Sequence, residues 1–378
     1  MPTIRDVARL AGVSIATVSR VFNGSPRVSE DSARRVRSAA TRLDYWPNSG
    51  ARSLTTSRTQ SLGVLLPDLF GEFFSEVIRG IDHAARAAKL QVLVSSSHAD
   101  TQELLAAARA MRGRIDGLIA MVPDNGSGPE MQQIVRRFPV VLLNPRSRVA
   151  GCSTVSIANL EGARTVVEHL VSLGRRRVAT IRGPKGNVDA EQRYRGYRVA
   201  LRAAGIAATP RLEVQGDFTE QSGYLGAAEL LRLDPWPSAV FAANDYMAIG
   251  LLRALRDAGV EVPRQIAVVG FDDIAFARYL DPPLTTVHVD AYALGEQATL
   301  SLVRIMRAAP PLRSTHFVLP TTLAVRGSCG AARTGVAEAA PVRRRRALPV
   351  RPTRAPEVAV AASSTVGFVP RRRGARGG

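Results

Sequence analysis

The sequence predicts a small all-α module of three helices followed by an α/β body of two doubly wound parallel sheets. Three observations predict it. Within the first 46 residues, apolar side chains recur at intervals of three and four, broken by a glycine. From Ser61 onward, short and nearly continuous apolar runs alternate with amphipathic stretches, the pattern of strands covered on both faces. The chain has 378 residues, 46% of them hydrophobic, which is too long for one ordinary domain and apolar enough for a large core.

The first helix is expected to start at Thr3, whose hydroxyl can accept an orphan backbone N–H, with Asp6 in the first turn. Ile4, Val7, Ala8 and Ala11 form its apolar stripe. Gly12 ends it, where a left-handed residue costs glycine little. Ser14 can cap a second helix with Val18, Val21 and Phe22 inward. A third is expected from Ser29, using Val36, Ala39, Ala40 and Leu43. Two short helices around a tight glycine turn, braced by a third, read as a helix-turn-helix over residues 1–46. A bare three-helix bundle for protein contact fits the same spacing. If the second helix enters a DNA major groove, its outward residues are Ile15, Ala16, Thr17, Ser19 and Arg20. Arg20 alone could grip a guanine edge with two hydrogen bonds, a contact worth about 1–3 kcal/mol.

The actual residues narrow this. TIRDVARLAGVSIATVSRVFNGSPRVSEDSARRVRSAATRLDYWPN resembles the DNA-binding headpiece of the lactose-repressor/galactose-repressor (LacI/GalR) family. The pattern I-x-D-V-A-x-x-A-G-V-S-x-x-T-V-S-R-V-x-N is followed by V-S and then by Leu, Tyr-x-Pro-Asn. The resemblance implies that Ile15, Ala16 and Arg20 read bases, and that Thr3, Ser14, Thr17, Ser19 and Asn23 hold phosphates. Ala33 departs from the family's usual Arg, which puts one backbone contact in doubt. Residues 47–60 correspond to the family's hinge, which forms a short helix on the operator. Asn48, Ala51, Arg52, Ser53 and Leu54 fit it, with Leu54 as the wedge that pries apart a central base step. A polar linker with a chance leucine is the plainer alternative.

In the body, strands are expected at SLGVLLP, LQVLVSSS, GLIAMV, PVVLLN, RRVATIRG, AVFAAND and QIAVVGFDD. Helices are expected at Phe73–Ala88, Gly162–Leu173, Val188–Ala204, Gly223–Leu231 and Met247–Ala258. In doubly wound folds a ligand sits at the carboxyl ends of the strands. The resemblance extends over this body to Gly327, and through the family to periplasmic sugar-binding proteins. It implies a two-lobed, periplasmic-binding-protein-like sensor over 61–330. One lobe would hold 61–157 and 290–317, the other 158–289 and 318–330.

The same resemblance places effector contacts at Asp68, Phe73, Phe74, Arg193, Phe218, Asn244 and Asp272. Rings with a few convergent polar groups suit a polyol. Phe73 and Phe74 could instead be plain core, and Asp272 could cap a helix. Asn187 and Asp189 replace the Arg and Thr of purine-sensing members, which favours a carbohydrate-like ligand over a flat base.

Charge is uneven. Residues 1–60 carry ten Arg against four acids, residues 61–330 carry a net +4, and residues 331–378 carry eleven Arg against two Glu. Basic ends attract polyanions. The tail, with RRRR at 343–346 and RRR at 371–373, is too poor in packing residues to order itself and is expected to be disordered. It either adds sequence-independent DNA affinity or is an extension without a role. Two cysteines, Cys152 and Cys329, allow no disulfide framework or Cys-based zinc site. Five scattered histidines suggest no metal, and no cofactor is expected. GxGxxG, P-loop, GxSxG and HExxH motifs are absent, which argues against an enzyme. The start MPTIRDVARLAGVS lacks the apolar core of a secretory signal, and no run reaches the roughly 18 apolar residues of a membrane span. A cytoplasmic location is expected, which argues against a periplasmic solute-binding protein. The expectation is a homodimeric transcriptional regulator on a pseudo-palindromic operator. Repressor is favoured over activator.

Overall fold

The computed structural model describes residues 2–22, 25–46, 58–122, 129–147, 149–307 and 314–331. Asn23, the hinge residues Asn48, Ala51, Arg52, Ser53 and Leu54, and the tail from 332 lie outside them.

The N-terminal module has helices α1 (Ile4–Ala11), α2 (Ile15–Phe22) and α3 (Glu30–Arg42). Thr3 and Asp6 form a reciprocal capping box on α1, and Gly12 follows it at φ 63°. Ser29 caps α3. Val7, Ala8, Ala11, Val18, Val21, Val36, Ala39 and Ala40 make the buried centre, with Ile4, Phe22 and Leu43 packed around it. The apolar spacing in the sequence thus becomes one three-helix core.

The body contains two six-stranded sheets. The first has β1 (Ser61–Leu66), β2 (Gln91–Ser96), β3 (Gly117–Met121), β4 (Val140–Leu143), β5 (Ser153–Ile157) and β11 (His316–Leu319), in the order β11-β5-β4-β3-β1-β2 and parallel throughout. The second has β6 (Val178–Arg182), β7 (Glu213–Gln215), β8 (Ala239–Ala242), β9 (Ala267–Asp272), β10 (Thr285–His288) and β12 (Thr322–Ala324), in the order β12-β10-β9-β8-β6-β7. Only β12 runs antiparallel. The fold class expected from the sequence is therefore the one found. Strands such as β1, β3, β4 and β8 are buried along their whole length, because helices cover both faces.

The chain changes sheet after β5, after β10 and after β11. The last crossing falls beyond the expected residue 317. Val318 and Leu319 pair in register with Ser156 and Ile157 and so stay with the first sheet. The helix expected to begin at Gly162 starts at Asn159, and the one expected at Gly223 starts at Glu220. The added turn is polar throughout in the second, Glu220-Gln221-Ser222, and carries a single apolar residue, Leu160, in the first, so neither shows apolar periodicity.

Helices Glu72–Ala87 and Ala291–Arg307 cross with glycines on both faces. A Cβ on Gly80 would meet Tyr292 O at 2.0 Å, and one on Gly295 would meet Val77 O at 2.0 Å. This backbone contact joins two segments far apart in sequence over the first sheet. The largest buried cluster runs from Leu62, Ile119 and Val155 through Ala163 and Val167 to Phe241 and Phe271. The two lobes therefore share one core along that side.

Candidate functional site

Helix Val188–Ala203 is capped by Asn187, whose Oδ1 accepts from Ala190 N at 3.0 Å. Asp189 and Arg193 stand four residues apart on its inner face, so both side chains point the same way. Arg193 is 4% exposed. Its Nε donates to Asn159 Oδ1 at 2.8 Å and its Nη1 to Ala243 O at 2.7 Å. Its guanidinium carbon lies 3.8 Å over the Phe271 ring and 5.8 Å from the Phe218 ring. Nη2 stands 3.0 Å from Asp272 Oδ1, an ion pair in which the N–H direction misses the oxygen. That buried oxygen accepts no hydrogen bond.

Two carboxylates flank this guanidinium. Burial pushes Asp272 up to about 6, with the Arg193 charge opposing and Asp189 adding to the rise. Burial also raises Asp189, against the pull of Arg193 and of two amides. Those amides are Asn144 Nδ2 at 3.1 Å and Asn159 Nδ2 at 2.8 Å. Behind them lies Asp245, wholly buried, with Oδ1 accepting from Thr286 Oγ1 at 2.6 Å and Oδ2 from Ile274 N at 3.0 Å. Burial, and then the Asp272 charge, push it well above the usual carboxylate range.

The cluster lies at the carboxyl ends of strands from both sheets. Asn144 follows β4 and Asp272 ends β9. Contacts between the lobes border it on two sides. On one side Asn144 reaches Asp189, and Arg146 Nη1 donates to Glu191 Oε2 at 2.9 Å. On the other, Glu72 N donates to the Tyr246 hydroxyl at 3.0 Å, and Ala275 N donates to Glu72 Oε1 at 2.5 Å. A cavity of about 360 Å³ opens beside this second contact, lined by Phe73, Asp272, Asp273 and His288 among others. Four non-glycine residues around the cleft hold positive φ: Asn144 (43°), Phe218 (74°), Asp272 (114°) and Asp273 (58°). Strain of this kind persists where surrounding structure enforces it, and it clusters at binding sites.

The structure brings Arg193, Asp272 and Phe218 together. It also gives Asn244 contacts within the protein. Its Oδ1 caps the next helix at Met247 N, 2.9 Å away, and its Nδ2 donates to Phe218 O at 3.0 Å. Asn244 therefore holds the Phe218 loop with one of its two Nδ2 protons. Phe73 and Phe74 form an edge-to-face pair at 5.4 Å, partly buried against the core. Asp68 is exposed, and its Oδ1 accepts from Leu69 N and Phe70 N, closing its own loop. Asp272 caps no helix. Asn144, Asn159 and Asp245 carried no sequence signal, because only the fold sets them beside Arg193.

In the N-terminal module, Ile15 (46% exposed), Ala16 and Arg20 are exposed on α2, opposite buried Val18 and Val21. The hydroxyls of Thr3 and Ser14 are engaged locally. Thr3 Oγ1 donates to Asp6 Oδ2 at 2.7 Å, and Ser14 Oγ accepts from Thr17 N at 3.1 Å. Ser14 Oγ and Thr17 Oγ1 also lie 2.9 Å apart. Ser19 is partly buried.

Comparison with known proteins bears on both parts. Residues 3–48 match the family described as bacterial regulatory proteins, lacI family, and residues 167–329 match the periplasmic binding protein-like domain. The ribose operon repressor of Escherichia coli (strain K12) is 34% identical over 330 residues, spanning 87% of this chain and all of the relative. The chain belongs to the LacI family. The transcriptional repressor CytR of the same organism is 33% identical over 330 residues, covering 86% of this chain and 96% of its own length. The structure of the Lac repressor dimer bound to operator and the anti-inducer ONPF superposes with a TM-score of 0.76 at 29% identity, covering 87% of this chain and 99% of that one. A CelR–cellobiose complex gives 0.66 at 33% identity, over 87% and 100%. Like its LacI-family relatives, the chain is a DNA-binding transcriptional regulator. Among the described residues, no helix is long and apolar enough to cross a membrane.

Proposed function

We propose that the chain is a homodimeric repressor that reads a pseudo-palindromic operator and is switched by a sugar or sugar-like polyol held between its lobes. The observation that carries this is the Arg193–Asp272 pair, buried in the cleft with one carboxylate oxygen unsatisfied. A polyol supplies what that oxygen lacks, a hydroxyl donor, while the rings of Phe218 and Phe73 offer apolar faces for the carbon skeleton. An unsatisfied buried acceptor costs free energy that a fitting ligand recovers. Relatives in complex with cellobiose and with ribose support the same class.

On the DNA side, Arg20 grips a guanine edge while Ile15 and Ala16 make apolar contacts in the major groove. Thr17 and Ser19 face the phosphates, with Thr3 and Ser14 presenting helix N-termini to them. Asn23 adds a further phosphate contact. Two hinges carrying Asn48, Ala51, Arg52 and Leu54 meet in the minor groove, with Leu54 as wedge. The effector acts through its differential affinity for two lobe arrangements and thereby sets the separation of the hinges. Cleft residues bind ligand and perform no bond chemistry, so the chain is not an enzyme.

The experiment is thermal-shift screening of the purified chain against pentoses, hexoses, disaccharides, polyols and nucleobases. Fluorescence anisotropy on selected operator DNA with each hit then gives the direction of the switch. A hit confined to nucleobases, or a chain with no preference for any duplex in a randomised pool, would overturn the proposal.

A further inference from the structure

The cleft uses the carboxyl ends of the strands, but the opposite ends of the first sheet carry a second concavity of about 550 Å³. Five cationic side chains line it: Arg58, Lys89, Arg112, Arg137 and Arg307. They come from five separate places in the chain, just before β1, before β2, before β3, before β4, and at the end of helix Ala291–Arg307. Asp116 is the one carboxylate in the lining, and it is already engaged. Its Oδ1 accepts from Thr59 N at 2.7 Å and Thr59 Oγ1 at 2.9 Å, and its Oδ2 from Gln60 N at 2.8 Å. Among the described residues, Lys89, Arg112, Arg137 and Arg307 stand in no ion pair. A single cation near a helix C-terminus usually answers the helix dipole. Convergence of several on one concavity exceeds that need and leaves mutual repulsion for an anion to relieve.

We infer that this concavity is a second binding site, for a small organic polyanion that carries a phosphate monoester or free carboxylates on a short carbon skeleton. The volume is in the range of small-molecule pockets. Arginine forks hold phosphate and carboxylate oxygens two at a time. Ile115 and Phe138 line the same concavity, apolar surface that a carbon skeleton would cover and a bare phosphate would not. DNA phosphates would be met by a convex basic surface and have no use for such an apolar lining. The site also has a mechanical connection. Arg58 lies on its rim, and the loop carrying Arg112 and Asp116 pins Thr59 and Gln60, the first residues of the body after the linker from the DNA-binding module. An anion drawn into the rim tightens the corner from which that linker departs, so its occupancy is coupled to operator affinity.

The test is isothermal titration of the full-length chain with 3-phosphoglycerate, with inorganic phosphate and glycerate as the two halves of the probe. The expected result is saturable binding of one 3-phosphoglycerate per chain, tighter than either half. Arg112→Gln/Arg137→Gln should weaken it at least tenfold, and Lys89→Gln/Arg307→Gln should do the same by an independent route. All four side chains are exposed, and an unchanged melting temperature verifies each fold. Asp272→Asn should leave this binding intact, which separates the rim from the cleft whatever the cleft ligand proves to be. No saturable binding, or equal binding by both rim variants, overturns the inference. So does a pair of rim variants that flatten the salt dependence of operator binding without touching 3-phosphoglycerate. The rim would then serve DNA phosphates.

Discussion

Arg193 and Asp272 come from different elements, one from the middle of a helix and one from the end of a strand, and meet with Nη2 3.0 Å from Oδ1 in a pair that leaves Oδ1 without a hydrogen bond. Asp189, one turn earlier on the same helix, is acted on by the same positive charge. One buried cation thus answers two buried carboxylates, and this arrangement sets what substitutions do.

Arg193→Met removes the shared cation and leaves Asp189 and Asp272 facing each other. Breaking a buried pair by deleting one partner costs about 3–5 kcal/mol. The expected loss is in that range at pH 7.5 and smaller at pH 5, where the raised carboxylates take up protons. Chemical denaturation at the two pH values checks it; equal losses would contradict the arrangement.

Asp272→Asn keeps Asp189 as the counter-charge, so the fold should hold. Ligand affinity should fall by about 1.5–3 kcal/mol, the worth of a hydrogen bond to a charged group. Titration with whichever sugar the screen returns measures this. Unchanged affinity would remove Asp272 from the ligand's contacts.

Asp272 rises from 3.8 unfolded to about 6 folded. Between those values the folded chain keeps a proton that the unfolded chain has released. Stability contributed by this group therefore falls as pH rises from about 4 to 6, and the full cost, roughly 3 kcal/mol, is present above pH 6. A hydroxyl donor binds the ionised form. Sugar affinity should consequently weaken about tenfold per pH unit below 6, and binding should release a proton there. Titrations at pH 5, 6 and 7.5 in buffers of different ionisation enthalpy read both effects.

Arg20→Ala should cost about 1–3 kcal/mol of operator affinity and relax preference at one base pair per half-site. Leu54→Ala should retain weak, salt-sensitive binding but lose bent specific complexes. Binding to a randomised duplex pool tests the first and gel-shift phasing the second.

Gly295→Ala places a methyl group 2.0 Å from Val77 O. Overpacking costs roughly 1–3 kcal/mol when side chains yield, and here backbone would have to move. A loss at or above the top of that range is expected in thermal unfolding, together with a weakened response to the effector, because this helix pair packs over the first lobe.

The three-helix module, the alternation of strands and helices, and the family were all legible in the residues. Each rests on local spacing: Val7, Ala8 and Ala11 at helical intervals, the Gly12 turn, apolar runs such as SLGVLL. The sequence also flagged Arg193, Asp272 and Phe218, through resemblance rather than through any pattern of their own. Only the folded chain shows that Asn144, Asn159 and Asp245 belong beside them, that Asn244 holds Phe218, and that five cations line one concavity with Asp116. The physical reason is common to all of these. Periodicity records which face of an element is buried, whereas a polar cluster depends on where elements tens of residues apart are brought together. That is set by crossings such as the one where Gly80 lies against Tyr292 and Gly295 against Val77, which no local stretch encodes.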